Sequence, residues 1–313
     1  SRVFYLPPVK RIFTHIAQAR KILEEGHYDI IHDCSLINTI PMMLVALRCV
    51  PHRILHSHSS KLGETPLKSL RNRLFLPLLR ICSNEYAACS DLAARALFGK
   101  KSCMLIPNVI NSSKFDYDAQ ARKKIRREMK AEDMLVVGSA GRGAPPKKPL
   151  RALSIFSEVH KRNPNSEYWW AGTGPLLEKM RLYAQKLCIS DCVRFLGERE
   201  DLAELYNAMD VFFMPSKFEG LGIAGVEAQV SGLPCVVSAS IPRSMAFTNL
   251  VDYVPLKKSD SYWSERILFA AGAKSRRGYR HELLESPFAD DNAGQLLLNY
   301  YAELLRGGFG KNV

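Results

Sequence analysis

Met214-Pro-Ser-Lys-Phe-Glu-Gly-Leu-Gly-Ile-Ala-Gly-Val-Glu-Ala228 is the stretch that decides how this chain folds. The apolar run Val211-Phe-Phe-Met214 leading into it reads as a buried parallel strand, closed by Pro215-Ser216. Gly220 and Gly222 permit a tight turn, and a helix follows through Val230, ended by Gly232-Leu-Pro234. A helix that starts just after a strand offers free backbone N–H groups and the positive end of its dipole, a setting that suits a phosphate. Glu219 stands at the mouth of this turn and Glu227 lies inside the helix. One carboxylate can accept hydrogen bonds from a sugar beside the phosphate, the other from a ribose diol. Taken alone, the segment also fits a plain strand–turn–helix with two solvated glutamates.

Outward from this segment, hydrophobic strands alternate with helical patterns, which predicts α/β units with parallel sheets. In the first half, helices are expected over Val9–Glu25, Ile40–Leu47 and Asp91–Leu97, the last capped by Ser90. Strands are expected at Asp29–His32, Arg53–His56, Glu85–Cys89 and Cys103–Ile106. The charged stretch Asp118–Lys130 reads as a surface helix joining the halves, its cations solvated. The second half restarts with a strand at Met134–Ala140, a loop over Arg142–Pro149, a helix through His160 and a strand at Tyr168–Ala171. Further strands fall at Val193–Leu196, Cys235–Val237 and Asp252–Val254, with helices at Asp201–Met209 and Asn292–Leu305. The pattern sets an α/β fold of two Rossmann-like domains facing across a cleft, residues 1–130 and 131–290, with a closing helix over 291–313.

The quoted residues carry a specific resemblance. Pro215-Ser-Lys-Phe-Glu-Gly-Leu-Gly with Glu227-Ala228 is similar to the E-x7-E signature of retaining glycosyltransferases of family 4, which have the two-domain GT-B fold. Ser231-Gly-Leu-Pro-Cys-Val-Val-Ser238 and Ile241-Pro242 resemble the branch that builds bacterial capsular and exopolysaccharides. The likeness runs from about Tyr28 to the last helix, which in GT-B enzymes often crosses back to the first domain. It implies that Glu219 contacts the transferred sugar and Glu227 the nucleotide ribose. The segment Gly220, Leu221, Gly222, Ile223 and Ala224 would then face sugar hydroxyls and the β-phosphate.

Other segments add to this likeness. Gly141-Arg-Gly-Ala-Pro-Pro-Lys-Lys-Pro-Leu150 resembles the family's Gly-Arg-x(4)-Lys-Asn-Pro-Leu loop, so Arg142 and Lys147 match its diphosphate-binding pair. Two cations there would stabilise a departing nucleoside diphosphate without a metal. The loop departs from the pattern at Pro145-Pro146, which stiffen it, and at Lys148, where asparagine is usual. Gly172-Thr-Gly174-Pro175 resembles the Gly-x-Gly-Pro that lines the family's donor cleft, although it also serves as a plain helix start. Phe195-Leu-Gly197-Glu198 resembles the loop around the nucleotide base. In Leu55-His-Ser-His-Ser59, His58 is the closer match to a family histidine facing the sugar and β-phosphate. His56 and His32 are weaker candidates, and His32 reads equally as a satisfied core histidine.

Composition bounds the function classes. A chain of 313 residues with 47% hydrophobic content can bury two cores. There is no apolar run of membrane-spanning length and no signal-peptide pattern, although the chain opens at Ser1 without a methionine. The eight cysteines form no C-x-x-C pair, which suits reduced thiols in a cytosolic protein. Cys188, Cys192 and Asp191 lack a histidine neighbour, so no metal site is expected there. Residues 1–130 carry 22 Lys and Arg against 10 Asp and Glu, a balance of +12, whereas residues 131–313 balance at +1. A basic half beside a neutral one points to an anionic partner. Pro66–Arg80 mixes cations with leucines at helical spacing; it can rest on lipid head groups or pack its leucines on its own domain, the second being favoured. Aromatic residues are not interleaved with the basic clusters, which argues against nucleic acid.

The combined expectation is a retaining hexosyltransferase moving a sugar from a nucleotide diphosphate sugar, UDP by resemblance, to a saccharide or polyprenyl-diphosphate-linked acceptor. No cofactor is expected, and the protein would sit in the cytoplasm at the inner face of the plasma membrane, with residues 1–130 on the anionic surface. Opening strands usual in the family precede the point where this chain starts, so the first domain is expected to be incomplete. Two alternatives stay open: an inactive sugar-nucleotide-binding subunit of a polysaccharide-assembly complex, and a GT-B epimerase or phosphorylase.

Overall fold

The structure, a computed structural model, describes residues 2–63, 65–111, 114–272 and 276–307. Two units divide the chain: Ser1–Pro107 together with Ala293–Val313, and Asn108–Asn292.

In the first unit, strands β1 (Ile30–Asp33), β2 (His52–Ser57), β3 (Glu85–Ala88) and β4 (Met104–Leu105) pair in parallel in the order β1-β2-β3-β4. Helices α1 (Ile12–Gly26), α2 (Ile40–Ala46), α3 (Pro66–Cys82) and α4 (Asp91–Phe98) connect them. The Ser90 hydroxyl accepts from the Ala93 amide at 3.2 Å and caps α4, which accounts for that serine. Helix α1 ends at Gly26, and His27 beyond it takes the left-handed conformation at φ 45°. The leucines of α3 split. Leu76 and Leu79 are buried, whereas Leu67, Leu70 and Leu74 stand 77%, 58% and 72% exposed, so the helix does not pack all its leucines on its own unit.

The second unit holds α5 (Ala119–Glu128), β5 (Leu135–Ala140), α6 (Pro149–Arg162), β6 (Ser166–Ala171), α7 (Leu177–Lys186), β7 (Val193–Gly197) and α8 (Leu202–Ala208). It continues with β8 (Val211–Met214), α9 (Ile223–Val230), β9 (Cys235–Ser238), β10 (Val251–Val254), α10 (Asp260–Ala271) and α11 (Arg280–Glu285). All six strands run parallel in the order β10-β9-β8-β5-β6-β7. Counted from β5 this is the 3-2-1-4-5-6 order of a doubly wound sheet, and the order reverses between β5 and β8. Every residue of β8 is buried, and Phe156, Tyr168, Trp170, Phe213 and Trp263 fill a core on one face of the sheet. The last helix, α12 (Asp290–Leu305), places Tyr300 and Leu304 in a core with Ile54, Ala87 and Ile106 of the first unit.

The expected boundary at 130/131 falls instead at 107/108. Arg122 and Arg126 of α5 meet the carboxylate of Asp210, and both guanidinium groups donate to carbonyls at the end of α8. Ile110 pairs with Ala289, and the Asp118 amide donates to Asn207 Oδ1 at 3.2 Å. These cations are structural and not simply solvated: Arg126 is 6% exposed. Moving α5 to the second unit leaves the first with 17 Lys and Arg against 8 Asp and Glu, a balance of +9.

Candidate functional site

Open α/β sheets bind ligands at the carboxyl ends of strands where the strand order reverses. Here that point is the pair β5 and β8, and the loops following them are Gly141–Lys148 and Pro215–Gly222. The two loops are tied together: the Lys217 amide donates to the Pro146 carbonyl at 2.7 Å. Lys147 Nζ lies 2.8 Å from Glu219 Oε1, an ion pair by distance that falls outside hydrogen-bond angles. Both side chains are largely shielded. Residues 72 positions apart thus meet because the strands before them are neighbours.

Pro145–Lys147 form a single 3₁₀ turn, and Lys148 follows in the left-handed conformation at φ 49°, ψ 50°. Asparagine tolerates that region better than lysine, so the departure at this position carries backbone strain. It still delivers Lys147 to Glu219. Burial, helped by Arg151 and Lys217 nearby, pulls the Lys148 ammonium below its ordinary range.

Gly222 begins α9 at φ 94°, ψ 48°, with Met245, Ile241 and Met214 where a side chain would go. Among the described residues no side chain caps α9, so its first-turn amides stand at the head of the helix dipole without a side-chain acceptor there. Glu227, in the second turn of α9, accepts from the Tyr206 hydroxyl of α8 at 2.9 Å. Burial pushes the Glu227 carboxyl above its usual range, while Tyr206, Lys114 and Lys147 draw it back. Lys147 therefore influences both glutamates. Sequence reasoning missed Tyr206 and Lys114, because neither lies in a motif and only the fold brings the Tyr206 hydroxyl and the Lys114 charge to bear on Glu227.

Of the other expected residues of this unit, Arg142, Gly172 and Glu198 line a cavity of about 360 Å³, together with Thr173, Arg199 and neighbouring residues. Arg142 is exposed at its rim. Thr173 Oγ1 donates to Glu198 Oε1 at 2.9 Å, and the Gly172 amide donates to the Gly197 carbonyl at 2.6 Å. Gly172, at φ 131°, has a packing reason of its own: a side chain there would lie 2.3 Å from the Gly141 carbonyl oxygen. Gly174 approaches Gly143 in the same way. These glycines let the β5 and β6 loops touch, whether or not a ligand is present.

His58 belongs to the first unit, exposed just past β2. Its ring stacks on His56 with centroids 4.0 Å apart. His56 Nδ1 lies 2.9 Å from His32 Nε2, and His32 Nδ1 lies 2.6 Å from the Tyr301 hydroxyl of α12. Burial, then the neighbouring His58, lowers His32 to about 4 and His56 to about 3, so both rings are neutral near pH 7. His32 is satisfied in this ladder, as one reading of the sequence had it. Ring nitrogens of His32 and His56 and the Cys34 sulfur all lie within 4.8 Å, but the two rings bond to each other, which accounts for their approach.

The "Glycosyl transferases group 1" family model matches residues 120–252. "Putative glycosyltransferase EpsF" of Bacillus subtilis (strain 168) is 32% identical over 317 residues, covering 96% of this chain and 82% of that protein. The UDP-Gal:alpha-D-GlcNAc-diphosphoundecaprenol alpha-1,3-galactosyltransferase of Escherichia coli is 27% identical, covering 76% of this chain and 66% of the relative. Among solved structures, Anabaena HepE in complex with UDP superposes with a TM-score of 0.79 at 16% identity, over 96% of this chain and 86% of that one. Two parallel α/β units of this kind define the GT-B class of fold. The chain belongs to the group 1 glycosyltransferase family.

Proposed function

We propose that this protein is a retaining glycosyltransferase that moves a hexose or hexosamine from a UDP-sugar to a polysaccharide or polyprenyl-diphosphate-linked acceptor. The observation that carries the reading is the meeting of Lys147 and Glu219 at the reversal of strand order, beside the uncapped start of α9. As the glycosidic bond to the donor phosphate breaks, negative charge grows on the leaving diphosphate. Lys147, Arg142 and the amides from Leu221 to Ala224 are the groups that neutralise it, and fixed charges in a shielded site act without reorganising. Glu219 accepts from hydroxyls of the transferred sugar, and Glu227, oriented by Tyr206, accepts from the ribose diol. The acceptor hydroxyl attacks from the face the diphosphate leaves and passes its proton to the departing phosphate oxygen, which keeps the anomeric configuration. The diphosphate's charge is met by protein cations in this reading, so it calls for no metal.

The resemblance to the GlcNAc-diphosphoundecaprenol galactosyltransferase of Escherichia coli supports the acceptor class. Among the described residues no helix is long and apolar enough to cross a membrane. The proposed location is the inner face of the plasma membrane, with the basic first unit against the anionic surface.

Incubation with UDP-sugars and a lipid-linked acceptor is expected to release UDP and a glycosidic product of retained configuration. Lys147→Ala is expected to lower kcat about 100-fold, and Glu219→Ala by a similar factor. Unchanged turnover in either variant refutes its assigned role. UDP binding without turnover supports the inactive-subunit reading instead.

A further inference from the structure

A cavity of about 680 Å³ in the first unit lies between α3 and α4, and none of the residues assigned above is among those lining it. Three guanidinium groups line it: Arg73 and Arg80 of α3 and Arg95 of α4. None of the described lining residues is acidic, and among the described residues neither Arg73 nor Arg95 meets a carboxylate. Arg80 donates through Nη2 to the Leu97 carbonyl at 2.6 Å, but its Nε is buried without an acceptor. A buried donor left unmatched costs free energy until an acceptor arrives. Leu62, Leu70 and Leu76 form the apolar part of the same wall.

The surface beside the cavity narrows the choice of ligand. Leu67, Leu70 and Leu74 follow the helical spacing i, i+3, i+7 and form an exposed apolar row on α3. Leu70 belongs to both row and cavity, so cations and hydrocarbon adjoin on one helix. A soluble phosphate would use the arginines and leave the leucines in water. An amphiphile uses both. The unit that carries them has a net charge of +9.

We infer that this groove binds the phosphate head of an anionic membrane lipid, with Arg73, Arg80 and Arg95 on the phosphate and Leu67, Leu70 and Leu74 in the acyl boundary. The inference localises the membrane contact to named residues and does not depend on glycosyl transfer.

Sedimentation of the whole protein with vesicles of phosphatidylcholine, with or without phosphatidylglycerol, tests it. The protein is expected to bind only the phosphatidylglycerol vesicles. Each cation at such a surface contributes about fivefold in affinity, so Arg73→Ala with Arg95→Ala is expected to weaken binding about 25-fold. Leu70→Asp with Leu74→Asp is expected to abolish it. All four positions lie at the surface, and circular dichroism together with UDP calorimetry on the same samples shows that both units remain folded. Removing an equal charge elsewhere on the unit, Arg20→Ala with Lys21→Ala on α1, is expected to weaken binding less than threefold. Equal losses from the α1 and groove variants overturn the inference in favour of diffuse charge. Binding of inorganic pyrophosphate at the groove without vesicle binding overturns it in favour of a soluble ligand.

Discussion

At the scale of single residues, Lys148 and Tyr206 show how local chemistry supports the site. Lys148 holds a left-handed backbone at φ 49° and starts α6 without a side-chain cap. Asparagine tolerates that conformation, so Lys148→Asn is expected to stabilise the protein by about 1 kcal/mol. A melting curve should rise by about 2–4 °C, and an unchanged midpoint refutes the strain. Tyr206 is fully buried and spends its hydroxyl on Glu227. Under the proposed function Glu227 faces the donor ribose, so Tyr206→Phe, which removes the hydrogen bond to that carboxylate, is expected to raise KM for the donor about tenfold. Because Tyr206 touches no reacting atom, kcat should stay within about twofold. A fall in kcat with KM unchanged contradicts this positioning role.

At the scale of elements, α5 is held to α8 by charge. Asp210 Oδ2 accepts from Arg126 at 3.1 Å and from the Val136 amide at 2.8 Å, and Arg122 pairs with its other oxygen. Arg276 adds bonds to the carbonyls of Tyr206, Asn207 and Met209, and its burial pulls it down to about 10. Asp210→Ala would strand partly buried guanidinium groups, and is expected to cost about 3–5 kcal/mol in denaturant unfolding. A loss under about 1 kcal/mol means that the carbonyls alone hold the arginines. The charge run of α5 is legible in the sequence, but its partner is not. Asp210 lies 84 residues beyond Arg126, and nothing in a one-dimensional pattern couples them. The α3 leucines show the same limit: helical spacing identifies the faces but not which face another element covers. Helix α10 escaped the sequence reading because only Trp263, Ser264 and Ile267 form its buried face, too few for a clear period.

At the scale of the whole molecule, the chain leaves the first unit at Pro107 and returns to it at Ala293. The return is fastened by a polar ladder as well as by packing: Tyr301 to His32, and His32 to His56. Both histidines are held below the ordinary value, at about 4 and about 3, so folding favours their neutral forms. As pH falls below about 6.5, the unfolded chain takes up protons that the folded ladder refuses, and stability falls until the pH passes below the folded values. The melting temperature is therefore expected to drop between about pH 6.5 and 4, with a shallower slope in His32→Gln. An equal slope in that variant excludes the ladder as its source.

The sequence by itself determined the alternation of strands and helices and the turn before α9. These follow from short-range periodicity and from glycine and proline chemistry, all within one element or its flanks. Only the tertiary structure decided that Lys147 meets Glu219, that Tyr206 bonds to Glu227, that α5 belongs with the second unit, and that three arginines share one groove with the exposed Leu70. Each of these joins residues whose separation along the chain is erased by a crossover or by helix packing. The physical reason is that strand order and the covering of a helix face come from burying apolar surface across the whole fold, which no local pattern records.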